Sequence, residues 1–349
     1  MTPRQWEELL AVLRGERVEP LPAGFLVDSP WLPNWAGTSV LDYFASEESW
    51  LEANLKAVRG FPGVLFLPGF WSEFGMCSEP SAFGSRPVWQ ENDLPFAEAT
   101  LPSAAAVASM PRPDPRLHGL APLLLRRLVR MRPRIEQAGH RIRFASARGP
   151  LNVAAFLMGN TEFLVALKTE PEAVHDLLGR VTDYLVDWLK LQASAIDTIG
   201  GVLVLDDLVG FLGPADCAAF AVPYLKRVFQ ALDVPVRFFH NDAEGRICAP
   251  HLAGIGVNLF NFSYRHSLSE MRRLTGGGVT LLGNIPTRDV MGKGTPEEVA
   301  RAVGAALEDA GDRTRLILSC GGGMPPGVPT GNVRAFVEAV RVNSAGVKA

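Results

Sequence analysis

Gly201-Val-Leu-Val-Leu-Asp-Asp207 decides the fold. The apolar run is too short for a helix and does not alternate with polar residues. It therefore reads as a strand buried on both faces, with its carboxylates where strand gives way to loop. The pattern recurs at Ala23-Gly-Phe-Leu-Val-Asp28, Val64-Leu-Phe-Leu67, Ile142-Arg-Phe-Ala-Ser-Ala147, Val236-Arg-Phe-Phe-His-Asn-Asp242, Val257-Asn-Leu-Phe-Asn-Phe-Ser263, Val279-Thr-Leu-Leu-Gly-Asn284 and Arg315-Leu-Ile-Leu-Ser-Cys320. Eight such runs alternating with helical stretches predict an α/β fold, a (β/α)8 TIM barrel in one domain spanning 1–349. A doubly wound sheet is the alternative.

The helical stretches carry their own signals. Thr169-Glu-Pro-Glu172 and Thr295-Pro-Glu-Glu298 have capping-box form, in which hydroxyl and carboxylate each satisfy an orphan backbone N–H. After the first, Val174, Leu177, Leu178, Val181, Tyr184, Leu185, Trp188 and Leu189 recur at three- and four-residue intervals and form a stripe that should face the sheet. Further helices are expected near 38–59, 116–138, 217–232, 246–253, 267–275 and 332–342. The stretch 68–100, rich in Gly, Pro, Phe and Trp, is too long for an ordinary connection after the second strand and reads as a candidate lid.

Working outward to the whole chain, 349 residues with 34 Lys+Arg against 37 Asp+Glu give a net charge of −3, and 47% of residues are hydrophobic. A mildly acidic globular chain without a basic block argues against nucleic acid or an anionic membrane as the main partner and favours a small molecule. No cationic segment followed by an apolar one opens the chain, and no run reaches the length of a membrane span, so a cytoplasmic location is expected. Cys77, Cys217, Cys248 and Cys320 are scattered, with no CxxC pair; a disulfide framework is not expected.

In a barrel the chemistry collects where strands end. Those ends supply Asp28, Trp71 to Glu73, Arg148, Asp206 with Asp207, His240 with Asn241 and Asp242, Asn261, Asn284 and Cys320. Asp28 and the Asp206-Asp207 pair suit either catalysis or helix capping, and Asn284 before Ile-Pro suits a turn. His240 and Asp242 stand two apart on one strand end, so both can face inward, and Cys320 would complete three ligands of the kinds zinc accepts. Cys217 and Cys248 fall in expected helices as packing residues. Gly321-Gly-Gly323 lacks the spacing of a phosphate cradle and reads as a tight turn.

Arg148-Gly-Pro-Leu-Asn152, Leu205-Asp-Asp-Leu-Val-Gly-Phe-Leu-Gly213 with Pro223-Tyr-Leu-Lys226, Phe239-His-Asn-Asp242, Leu282-Gly-Asn-Ile285 with Gly294-Thr-Pro-Glu-Glu298, and Gly322-Gly-Met-Pro-Pro-Gly-Val-Pro329 with Asn332, in that order, resemble the uroporphyrinogen decarboxylase superfamily. The resemblance implies a (β/α)8 barrel and one of two activities. One branch decarboxylates uroporphyrinogen without a cofactor. The other comprises zinc-dependent methyltransferases that work with corrinoid proteins, such as methylcobamide:coenzyme M methyltransferases and the methyltransferase components of O-demethylases.

An octacarboxylate tetrapyrrole needs several cations. The Arg-rich loop that the decarboxylases place after the first strand is missing: no Lys or Arg occurs between Arg17 and Lys56, where Trp31 and Trp35 instead suggest an aromatic mouth. The His that decarboxylases carry in the last loop aligns with Gly322. The methyltransferase branch binds zinc with a His-x-Cys pair and a Cys after the last strand; His240 matches, Asp242 replaces the first Cys, and Cys320 lies two residues before the last position. The resemblance thus implies a methyltransferase moving a methyl group between a small donor or acceptor and the corrinoid of a separate partner protein, this chain lacking the DxHxxG corrinoid pattern. Zinc would be held by His240, Asp242 and Cys320. Asp206, Asp207, Asn284 and Asp28 would serve catalysis, and Trp31, Trp35, Trp71, Glu73 and Asn241 would line the substrate pocket. A homodimer is the candidate assembly. The alternatives are a cofactor-free decarboxylase of a smaller acid, with Asp28 or Asp206 handling the proton, and a degenerate barrel that only binds.

Overall fold

In the computed structural model, which describes residues 1–27 and 30–344, each of the eight apolar runs is a strand: β1 (Ala23–Leu26), β2 (Val64–Leu67), β3 (Phe144–Arg148), β4 (Gly201–Leu205), β5 (Val236–Asn241), β6 (Leu259–Phe262), β7 (Thr280–Ile285) and β8 (Leu316–Cys320). Pairing is parallel throughout the barrel sheet, and β8 returns to pair with β1, the cyclic order of a (β/α)8 barrel. The strand ladder leaves a seam between β2 and β3 among the described residues. Side chains close β3's side of it. The Gln192 amide accepts from the Ser146 N–H at 3.1 Å and donates to the Ser146 carbonyl at 3.0 Å, and Glu79 accepts the Arg148 N–H at 3.0 Å. Unpaired backbone groups buried here would each cost about 1–3 kcal/mol.

Strand alternation sorts the side chains into two cores. Leu26, Leu65, Leu67, Phe144, Leu203, Leu205, Val236, Phe238, Leu259, Leu282 and Ile317 fill the barrel interior. Phe25, Phe66, Val204, Phe239, Phe260, Leu281, Leu316 and Leu318 face the helices. The stripe from Val174 to Leu189 lies buried along helix Pro171–Ala195, as its spacing predicts.

Helix Pro3–Arg14, absent from the sequence-based expectation, plugs the floor. Its Trp6, Leu9, Val12 and Leu13 join the interior cluster, with Trp6 edge-on to Phe144 at 5.9 Å. The helix starts in a capping box between Thr2 and Gln5. The box expected at Thr169 does not form: Thr169 ends helix Asn160–Thr169, and the next helix starts at Pro171 after Glu170. The box at Thr295 does form, with reciprocal bonds to Glu298 of 2.8 and 3.3 Å. No single helix among the described residues is long and apolar enough to cross a membrane.

The 68–100 segment divides in two. Phe70, Phe74, Cys77 and Phe83 are buried in the wall, whereas the antiparallel pair Pro87–Val88 with Phe96–Ala97 is more exposed.

His140, just before β3, is buried with its ring 5.6 Å from Phe70. Burial lowers its pKa to about 4, with repulsion from the terminal ammonium and Arg59 adding to the effect. Because the folded pKa lies below the unfolded one, the neutral ring contributes stability above about pH 6.5 that is lost as pH falls toward 4. His140→Phe is expected to lose less stability than wild type on acidification, by up to about 2–3 kcal/mol at pH 4, read from urea midpoints at pH 7, 5 and 4. Parallel pH dependences would contradict this.

Candidate metal centre at the barrel mouth

The interior becomes polar toward the carboxyl ends of the strands. Alternation that puts Val236 and Phe238 inside also puts His240 inside. Its Nδ1 lies 2.7 Å from Oδ1 of buried Asn261. Asn261 has its orientation set by two obligate acceptors: Nδ2 donates to the carbonyls of Leu282 at 2.7 Å and Cys320 at 3.1 Å. Its oxygen must therefore face His240 and accept, which places the ring proton on Nδ1. Nε2 is turned toward two carboxylates, 3.6 Å from Asp207 Oδ1 and 3.9 Å from Asp242 Oδ2.

Asp207, His240 and Asp242 can each offer a ligand atom, all within 4.8 Å of one another. Asp207 also accepts the Asp242 N–H at 3.0 Å, which ties the loop after β4 to that after β5. Desolvation pushes the Asp207 carboxyl up, with His240 opposing. Gly322 leaves room for Asp242: a Cβ there would stand 2.9 Å from Asp242 Oδ2. One imidazole nitrogen and two carboxylate oxygens form a set that zinc accepts and that also suits harder divalent ions. A histidine whose second nitrogen donates to a fixed oxygen is the support such a ligand needs.

The third expected ligand is not brought there. Cys320 shares the outward parity of Leu316 and Leu318 and sits in the helix-facing core, where burial raises its thiol pKa far above the ordinary range. Only its backbone carbonyl reaches the site's support. Asp207, expected as a catalytic residue, takes the place next to His240.

Asp206 also faces outward. Fully buried, it accepts the N–H groups of Leu151 and Asn152 at 2.9 Å each, at the start of helix Pro150–Met158. Burial pushes its carboxyl up to about 8, against those two donors. Asn152 in turn accepts the Leu208 N–H at 3.0 Å. The Arg148-to-Asn152 and Leu205-to-Leu208 segments are thereby knitted together, and Asp206 is a helix cap at the mouth's edge.

Of the expected pocket walls, Trp31 and Trp35 stack at 4.7 Å and donate to the Val328 carbonyl and the Thr330 hydroxyl, both at 3.0 Å. They anchor the segment after β1 to the chain around the start of the last helix, Thr330–Ser344, and neither is among the residues lining the cavity over the triad. Trp71 lies beneath the Arg148 guanidinium, 5.6 Å away. Glu73 pairs with Arg148 at 2.8 Å, and Glu79 lies 3.8 Å from it. Asn241 is buried, accepting the Ala243 N–H at 2.9 Å. Asn284 donates to the His266 carbonyl. Asp28 lies outside the described residues.

A cavity of about 270 Å³ opens over the triad, lined by Arg148, Asp207, His240 and Asp242 with Met76, Phe156 and Met324. Its size suits a small ligand. In the sequence, Arg148 and Asn261 stand out as polar residues at strand ends and Glu79 as a possible substrate contact or spare ligand; their supporting bonds span 69–75 and 21 positions.

A family model described as uroporphyrinogen decarboxylase (URO-D) matches residues 4–342. The uroporphyrinogen decarboxylase of Xylella fastidiosa (strain Temecula1 / ATCC 700964) is 26% identical, with 96% of this chain and 98% of that protein covered. That of Thioalkalivibrio sulfidiphilus (strain HL-EbGR7) is 25% identical, with 98% of each covered. Among solved structures, a methyltransferase from Methanosarcina mazei superposes with a TM-score of 0.81 at 18% identity, covering 96% of this chain and 97% of that one. That likeness is one of fold. With the barrel formed and the family match running nearly its whole length, the chain belongs to the uroporphyrinogen decarboxylase family.

Proposed function

We propose that the chain is a metal-dependent methyltransferase that moves a methyl group between a small donor or acceptor and the corrinoid of a separate protein. The observation that carries this reading is the convergence of Asp207 and Asp242 on Nε2 of a histidine whose Nδ1 is held by Asn261. Asp207, His240 and Asp242 would hold zinc. Bound there, the ion would act as a Lewis acid toward the heteroatom that carries or receives the methyl group, more strongly than beside two thiolates. The chain's own groups do the rest. Asn261 keeps the His240 proton on Nδ1, the Asp207 carboxylate orders the Asp242 loop, and Met76, Phe156 and Met324 give the mouth an apolar wall suited to a methyl group.

Charge favours this reading over a tetrapyrrole decarboxylase. Arg148 is the single Lys or Arg lining the cavity among the described residues, and it already pairs with Glu73. Several carboxylates would lack counter-charges.

The test is divalent metal content per chain in purified protein, together with methylcobalamin formation from reduced cobalamin across a panel of methylated ethers, amines and thiols. About one equivalent of metal and chelator-sensitive methyl transfer are expected. Activity that survives metal removal, or carbon dioxide release by metal-free protein, would overturn the reading. Asn261→Leu leaves Nδ1 without its acceptor and is expected to weaken zinc binding about 10–100-fold in competition with a chromophoric chelator. An unchanged affinity would deny Asn261 that positioning role.

A further inference from the structure

We propose a second small-molecule site, selective for an apolar carboxylate, on the outside of the barrel between helices Val40–Ala45 and Ala121–Gln137 and the 68–100 segment. A groove of about 420 Å³ runs there, walled by Leu41, Phe44, Phe74, Trp89 and Leu123, with Arg127 among its lining residues. Trp89 and Leu123 are 41% and 56% exposed, so large apolar surfaces stand open to solvent side by side.

Arg127 determines the chemistry of the occupant. The residue is only 4% exposed. Nη2 donates to the Phe44 carbonyl, the guanidinium packs over Phe74 at 4.8 Å, and buried Nη1 has no hydrogen-bond partner. Among the described residues, no carboxylate lies within ion-pair distance of it. Glu47, the acidic residue lining the groove, pairs with Arg130 at 3.4 Å, and Arg126 adds a second cation to the lining. Glu47 attracts Arg127 only from beyond ion-pair distance, and a cation withdrawn from water without a paired counter-ion is costly. A carboxylate that brings its own apolar body would place its charge beside Arg127 and Arg126 while covering Trp89 and Leu123. The site is separate from the triad, and the two readings stand independently.

Calorimetric titration with decanoate and with 4-phenylbutanoate separates an alkyl from an aryl occupant, and the corresponding primary amides serve as neutral controls. One or both acids are expected to bind at one per chain, at least about tenfold more tightly than the matching amide. Leu123 lies one turn before Arg127 on the same helix. Leu123→Glu, at an exposed position, would place a tethered carboxylate beside the guanidinium and lower affinity for the free acid at least about tenfold. His240→Ala should leave binding intact. The proposal is overturned if neither acid binds below millimolar concentration, if the amides bind as tightly, if Leu123→Glu has no effect, or if His240→Ala abolishes binding.

Discussion

His240→Ala is expected to purify folded, with metal content near zero and methyl transfer reduced at least about a thousandfold. His240 is the sole nitrogen donor of the triad, and its Nε2 stands 3.6 Å from Asp207 and 3.9 Å from Asp242, whose loops are tied by the Asp242 N–H bond to Asp207. Removing it leaves two like charges within a few ångströms of each other, a weaker and less specific cation site. Catalysis at a metal centre depends on that ion's electrostatic contribution, typically several kcal/mol, hence the predicted size of the loss. Circular dichroism and the thermal midpoint should stay close to wild type, because the Asp242 N–H bond to Asp207 and the Asn261 bonds to the Leu282 and Cys320 carbonyls do not involve the ring. A His240→Ala protein with its metal and activity retained would place the chemistry elsewhere.

The second large effect concerns stability. Asp206→Ala removes the acceptor of the Leu151 and Asn152 amides and leaves both buried at a helix start. The expected loss is about 2–4 kcal/mol, seen as a lower denaturant midpoint, with metal content per folded chain unchanged. Gly149→Ala should be worse: its Cβ would fall 2.2 Å from Asp206 Oδ2 and 2.4 Å from Asp206 Cβ, a collision between two parts of the backbone frame that no rotamer relieves. That variant is expected to accumulate mainly as insoluble chain. If Asp206→Ala instead abolished turnover at full stability, Asp206 would be a catalytic group and not a cap.

The barrel was legible because burial on both faces writes itself into consecutive residues. Val202 to Leu205 face alternately inward and outward, and both directions are apolar. The floor helix carried a legible mark too, Thr2 with Pro3 and Gln5, but it stands outside the strand–helix rhythm. The site was half legible. His240 and Asp242 are two residues apart on one strand end, so one local geometry places both. Cys320 could not be placed this way, because whether it faced the mouth or the helices turned on a one-residue register of β8, and Leu316 and Leu318 took the outer face with it.

Asp206 and Asp207 mark the same limit. Adjacent and chemically identical, they diverge because β4 ends at Leu205 and the chain turns into a short 3-10 helix at Asp207: Asp206 meets the amides that start helix Pro150–Met158 and Asp207 joins the triad. The aromatic pair Trp31 and Trp35 reads as a binding wall in one dimension, whereas in the fold it clasps the segment after β1 to Val328 and Thr330 at the start of the last helix.

By itself, the order of residues determined the eight strands, their parallel winding, and the His240–Asp242 pairing, since each depends on spacing within a single element. Which carboxylate completed the triad, which nitrogen of His240 carried the proton, and which tryptophans faced solvent were decided only when distant segments met, because each depends on a partner supplied by another strand or loop.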